Sequence, residues 1–246
     1  MPPSAPASAV DATAGIVFAL AVEADAFERL AEGRREFRAS RLAFHTGRVA
    51  GRSVAWCVSG VGTGAAEAAT RQLIAGHRPR CMITAGFAGG LDAGVARGGV
   101  IHASRSVRDG AATAIDLARV GPAAVPLTIV SVDGVVSTVD AKRALAARTG
   151  GHAVDMETHA VASVAALLGL PCHSVRVVSD DALESLPAEV ADLAAARSPL
   201  RRLGAVIGAV GRRPAVARDV WRLWERAVVD SKTLAAAVTD LIRQLP

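Results

Sequence analysis

The chain has 246 residues, 51% of them hydrophobic and 3% aromatic, enough for one large domain or two small ones. Its formal net charge of +5 is concentrated near the end: from Ser198 to Pro246 nine Lys/Arg stand against four acids, so the remainder is neutral overall. Such a basic tail suits nucleic acid, an anionic membrane surface or a solvated face; the scarcity of aromatics and the lack of a recognised motif argue against nucleic acid, and no uninterrupted apolar run reaches the roughly 18 residues of a membrane span.

Met1–Ala14 (MPPSAPASAVDATA) has too little bulky apolar content to pack and is predicted as a disordered arm. It has no Lys or Arg near its start and no continuous apolar core, so it does not read as a secretory signal. GIVFALAV, from Gly15, is an apolar run of strand length, and EADAFERLAEG after it has helical spacing. RSVAWCVSGVG (Arg52–Gly62) predicts a strand ending in a glycine-rich turn, and TGAAEAATRQLIAGH a helix with Thr63 as its N-cap. CMITAG predicts a buried strand ending at Gly86, followed by a glycine loop, FAGGLDAGVARGG, and a strand VIHASRSV. LTIVSVDGVVS, from Leu127, predicts another strand, and DAKRALAARTG a short helix. VDMETHAVASVAALLGL (Val154–Leu170) predicts a buried helix that opens on Asp155, Met156 and Glu157. PCHSVRVVSDDA predicts a strand ending in Ser179, Asp180 and Asp181. Beyond Leu186 the pattern is helical, with LRRLGAVIGAV and a long amphipathic stretch from Val216 separated at Pro214. No interior linker or repeat interrupts this, so residues 15–246 are predicted as a single domain with a basic helical extension from about 198 to 246. Cys57, Cys81 and Cys172 lie in apolar runs without metal-ligand spacing and are expected as buried free thiols of a reducing cytosol.

Solid apolar strands alternating with helices predict an α/β domain whose largely parallel sheet is covered on both faces. Ligands of such sheets sit outside the carboxyl ends of the strands. The polar and glycine features gather there: Glu23, Ser59-Gly60-Val61-Gly62, Gly86-Phe87-Ala88-Gly89-Gly90, Ser179-Asp180-Asp181 and Glu157. Each glycine turn serves either tight geometry or an anion or sugar hydroxyl on its N–H groups; neither is a dinucleotide fingerprint or a phosphate loop. Asp180 suits a general acid at a ring nitrogen, Glu23 a base that activates water, and Glu157 an acceptor of two hydroxyl hydrogen bonds. Helix capping is the plainer role for Glu23 and Asp180, and a favourable helix-dipole contact for Glu157. Three carboxylates in one crevice are harder to explain by capping alone, and their repulsion would raise some of their pKa values. Six scattered histidines give no metal spacing, and His152 and His159 read as packing or surface residues.

In this order the Glu23 turn, SGVG, TAGFAGGL, VDMET and VSDDA resemble the nucleoside phosphorylase and nucleosidase superfamily over roughly Gly15 to Ala182. GFAGGLDAGVARGGVI, KRALAARTGGHAVDMETHAVA and the basic tail are similar, more narrowly, to its hopanoid-associated phosphorylase branch. The resemblance implies a three-layer fold: a central twisted mixed, largely parallel sheet flanked by helices, with a helical C-terminus. It implies cleavage of an adenine nucleoside with release of adenine, from adenosylhopane in that branch; methylthioadenosine or S-adenosylhomocysteine is the alternative substrate, and a non-catalytic nucleoside sensor a third. Asp180 would then act on the leaving purine and Glu23 on the water, with Glu157 binding ribose hydroxyls and Met156 packing on the sugar. Ser59, Gly60, Gly62, Gly86, Phe87 and Ser179 would line the site. No metal or cofactor is implied, except phosphate as a co-substrate; the phosphate-binding arginines of classical phosphorylases have no clear match here, with Arg97 and Arg105 only in the neighbourhood. The expected protein is a cytoplasmic homo-oligomer, with Leu200–Leu245 and its Trp221 and Trp224 suited to lie on the membrane of a lipid-linked substrate. Two departures stand out: Phe87 occupies a position held by a small polar residue in many nucleosidases, and Ile129–Asp140 lacks the aromatic that stacks on the base.

Overall fold

The computed structural model describes residues 11–39, 42–119, 126–186 and 215–246, with side chains omitted for 215–224. The first ten residues, LRRLGAVIGAV, Pro214 and the side chains of Trp221 and Trp224 lie outside them, so the expectations placed there are untouched.

Among the described residues eleven strands form one sheet: β1 (Ala14–Phe18), β2 (Glu32–Ala39), β3 (Leu42–Val49), β4 (Arg52–Val58), β5 (Cys81–Gly90), β6 (Val100–Ala103), β7 (Arg105–Arg108), β8 (Ala114–Asp116), β9 (Thr128–Ser131), β10 (Ala153–Asp155) and β11 (Cys172–Asp180). The helices are α1 (Ala21–Glu28), α2 (Thr63–His77), α3 (Val139–Thr149), α4 (Thr158–Leu167) and α5 (Ala215–Gln244). The spatial order is β2-β3-β4-β1-β5-β10-β9-β7-β8, and β11 pairs with both β5 and β6. The central pairs β4–β1, β1–β5, β5–β11, β10–β9 and β9–β7 are parallel. Antiparallel partners are added around them by β2, β3, β6 and β8.

Strand alternation sorts the core into two layers. Val17, Met82 and Val178 face one cluster, which α2 and α4 cover with Ala66, Ala69, Leu73, Val161 and Ala165. Ile16, Phe18, Ile83, Val175 and Val177 face the other, covered by α1 and by the stripe Leu234, Ala235, Val238, Leu241, Ile242 and Leu245 of the last helix and its end. That stripe recurs at helical spacing, so this part of α5 buries its apolar face on the sheet and not on a membrane. No helix among the described residues is long and apolar enough to cross a membrane.

Several boundaries differ from expectation. The packed chain begins before Gly15: Ala12 is buried, donates its N–H to the His77 carbonyl and accepts from the Arg80 N–H. β2 and β3 are a hairpin without a sequence forecast, because every residue of EGRREFRA is exposed and carries no alternation. VIHASRSV is broken at Ser104 into β6 and β7. α2 is capped by the backbone of Gly62 and not by Thr63, whose hydroxyl lies 3.3 Å from Asp133. β5 continues through Gly90 where a loop was expected, and Val154 and Asp155 belong to β10, with α4 starting at Thr158. The three cysteines are free and buried, and burial raises the thiol pKa of Cys57 and Cys172 to about 12.

Candidate active site

The sheet branches where β5 ends. Residues Met82–Gly89 run parallel to β11, and Gly89 and Gly90 also pair with β10. A β-bulge between Val178 and Asp180 shifts the register and sets Asp180 opposite Gly89. A cavity of about 200 Å3 opens at this fork, lined by the ends of β5, β10 and β11 and by the start of α1.

Glu23 stands in the first turn of α1, and its side chain turns back on the chain before it. Oε2 accepts from the N–H of Ala19 (2.9 Å) and Leu20 (2.8 Å), and Oε1 from the N–H of Phe87 (2.8 Å). The capping role is therefore real, and the same carboxyl also lines the cavity. Burial raises its pKa, opposed by these backbone donors and by Arg176. Gly86 is the reason it fits: a Cβ there would stand 2.7 Å from Oε1.

Glu157 occupies the N-cap position of α4, yet its side chain makes no cap bond. Oε1 instead accepts from the Gly62 N–H at 2.7 Å, and the φ of +102° that presents this amide is natural only for glycine. Burial, then the neighbouring Asp155 charge, lift its pKa to about 8. Asp155 itself caps the helix through the Thr158 N–H (2.9 Å) and accepts from Ser131 Oγ (2.6 Å) and from Arg176 Nη2 (2.7 Å) and Nε (3.1 Å). Repulsion among carboxylates thus acts on Glu157 chiefly through Asp155.

Asp180 ends β11. Its Oδ1 accepts from Ser179 Oγ (2.6 Å) and its Oδ2 from Lys142 Nζ (2.5 Å), a lysine with no solvent exposure.

Of the residues expected at the site, Glu23, Phe87, Met156, Glu157, Ser179 and Asp180 share this one cavity. Ser59, Gly60, Gly62 and Gly86 do not reach its wall. The Ser59 hydroxyl is turned to the carbonyls of Gly60 (2.8 Å) and Phe18 (3.2 Å), and Val61 lines the cavity in its stead. Gly62 and Gly86 stand behind Glu157 and Glu23 as donor and spacer. Arg97 pairs with Asp230 on α5 at 3.0 Å, and Arg105 lies on β7; neither lines the cavity. Residues without a forecast are Asp155, Arg176, Lys142, and the aliphatic wall of Val132, Val135, Val136 and Leu186. A charge inside the apolar run HSVRVV was a visible sign of a buried partner for Arg176. Among the described residues, no group of three His, Cys, Asp or Glu is placed to hold a metal.

The sequence profile of the phosphorylase superfamily matches residues 13–127 and 108–201. The chain belongs to the phosphorylase superfamily. Within it, the chain is similar to the 5′-methylthioadenosine/S-adenosylhomocysteine nucleosidase of Actinobacillus succinogenes, 28% identical over 194 residues, 68% of this chain and 84% of that protein. A Haemophilus influenzae enzyme of the same name is 34% identical over 87 residues, 35% of this chain and only 38% of its own length. Among solved structures, the Neisseria meningitidis nucleosidase in complex with methylthio-immucillin-A superimposes with a TM-score of 0.73 at 20% identity, covering 94% of this chain and 99% of that one. This likeness shows the superfamily fold: a mixed, centrally parallel sheet between helices, closed by a C-terminal helix.

Proposed function

We propose that the protein hydrolyses the N-glycosidic bond of an adenine nucleoside, in the manner of the methylthioadenosine/S-adenosylhomocysteine nucleosidases it resembles. The observation that carries this is one cavity that joins Asp180 at the end of β11 with Glu157 and Glu23. Cleavage leaves an oxocarbenium-like sugar and an electron-rich base, so the site must supply a donor to the base and negative charge beside the sugar. Asp180 serves the base. Glu157 accepts the ribose hydroxyls with Met156 against the sugar, and Glu23, fixed by three backbone N–H groups, orients the attacking water. The narrower assignment to adenosylhopane has one favouring observation: Phe87 with Val61, Val132, Val135, Val136 and Leu186 makes a largely aliphatic wall, suited to an apolar substituent on the ribose. On either substrate the protein acts as a cytoplasmic homo-oligomer on a small molecule, without nucleic acid.

The test is adenine release, followed by chromatography, from methylthioadenosine, S-adenosylhomocysteine and detergent-dispersed adenosylhopane, each with and without phosphate. Release from the soluble nucleosides in phosphate-free buffer is expected. Release from the lipid alone would favour the narrower assignment, strict phosphate dependence would make phosphate the nucleophile, and release from none would leave a nucleoside-binding protein.

A further inference from the structure

Lys142 lies in the first half of α3, a helix whose other charged residues Asp140, Arg143 and Arg148 are all turned to solvent, yet it is fully buried. A buried ammonium is costly unless each of its donors is met. Here the three N–H groups find three acceptors: Asp180 Oδ2 at 2.5 Å, the Asp181 carbonyl at 2.6 Å and the Glu184 carbonyl at 2.8 Å. The last two belong to the segment after β11, whose Leu186 lies on the cavity wall. Two further bonds tie that segment to the foot of α3: the Leu186 N–H to the Ser137 carbonyl (2.8 Å) and the Val139 N–H to Ser185 Oγ (3.3 Å).

We propose that Lys142 is a positioning residue for cleavage, a single cation that aims the Asp180 carboxyl into the cavity and holds the 181–186 segment closed beside it. The inference rests on the role given above to Asp180. Lys142 does not line the cavity, so it acts through Asp180 and the wall and not by touching substrate. Its removal frees the carboxyl to rotate about one remaining partner, Ser179, and leaves two carbonyls without their donor. Glu157 and Met156 make no hydrogen bond to it, so the effect falls on kcat more than on KM.

Lys142→Met should lower kcat about 10²-fold, the scale of a misplaced catalytic group, with KM within about threefold. In the Asp180→Asn background the same substitution should add almost nothing, because the two act as one unit. Amide exchange at residues 183–186 should speed up while the central strands stay protected. Lys142→Arg, which keeps the charge but presents its donors in a planar fork, should fold and show an intermediate kcat, a control should the methionine variant fail to fold. Equal fold-losses in the wild-type and Asp180→Asn backgrounds, or an unchanged kcat, would overturn the proposal. If the wild-type protein cleaves no nucleoside, the functional reading fails by itself, and unchanged exchange at 183–186 would still overturn the clamp.

Discussion

Glu157 holds the N-cap position of α4 without capping it, because Asp155 takes the Thr158 amide and leaves Glu157 to reach Gly62. The consequence is a buried carboxyl whose pKa, ordinarily 4.5, rises to about 8. Between those values the folded chain keeps a proton that the unfolded chain has lost. The resulting stabilisation is complete below about pH 4.5 and lost as pH rises towards 8. Thermal melts should therefore show a downward contribution of Glu157 to the wild-type Tm from pH 5 to pH 8, set against the upward one of the histidines whose pKa burial lowers. Glu157→Gln, which still accepts the Gly62 N–H, should remove that downward contribution and melt higher than wild type at pH 8; an unchanged slope would show that Glu157 is not the group concerned. Ribose hydroxyls donate best to the ionised form, so nucleoside affinity should rise over the same interval. Gly86 belongs to the same scale. A methyl group there meets Glu23 Oε1 at 2.7 Å, so Gly86→Ala should lower turnover by about 10-fold or more by displacing the carboxyl, with an intact circular dichroism spectrum. Full turnover in this variant would remove Glu23 from the mechanism.

The elements legible in the sequence are those the sheet buries on both faces. Solid apolar runs at Gly15, Arg52, Cys81, Leu127 and Pro171 became β1, β4, β5, β9 and β11. The β2–β3 hairpin was not legible, since a charged edge strand with all eight residues of β2 exposed has no buried face to announce it. The glycines after Gly86 read as a loop but extend β5, and the carboxyls of Glu23 and Asp180 pack closely over Gly86 and Gly89, where a larger residue would push them aside. Lys142 looks like any lysine of a short amphipathic helix; only its acceptors on a distant strand and turn distinguish it, and these are tertiary. The carboxylates at strand ends were legible because an α/β sheet places its ligands there. The last helix shows how one pattern serves two surfaces. Its basic amphipathic sequence suits a membrane, but Leu234, Val238, Leu241 and Ile242 are buried on the sheet. Ile242→Ala should cost about 2–5 kcal/mol in urea unfolding, and a loss under about 0.5 kcal/mol would mean that the helix does not pack there.

At the scale of the whole molecule, the fold functions as a frame around a fork. β5 stays paired with β11 through Gly89 and takes on β10 at Gly89 and Gly90, and α1 and α4 bring Glu23 and Glu157 to the cavity at this end of the sheet. Glu23 lies more than 130 residues before Glu157 and Asp180 in the chain, and each of the three carboxylates is fixed by a different device: backbone donors for Glu23, a glycine amide for Glu157, a buried lysine for Asp180. Such fixed polar groups are what glycosidic cleavage requires. The most direct test of the account is the rate of adenine release from methylthioadenosine by the wild-type protein and by Asp180→Asn. The wild type should release adenine, and the variant should lose roughly 10²–10⁴-fold in rate, the usual contribution of a general acid. Equal rates would contradict it, because Asp180 would then have no part in the departure of the base.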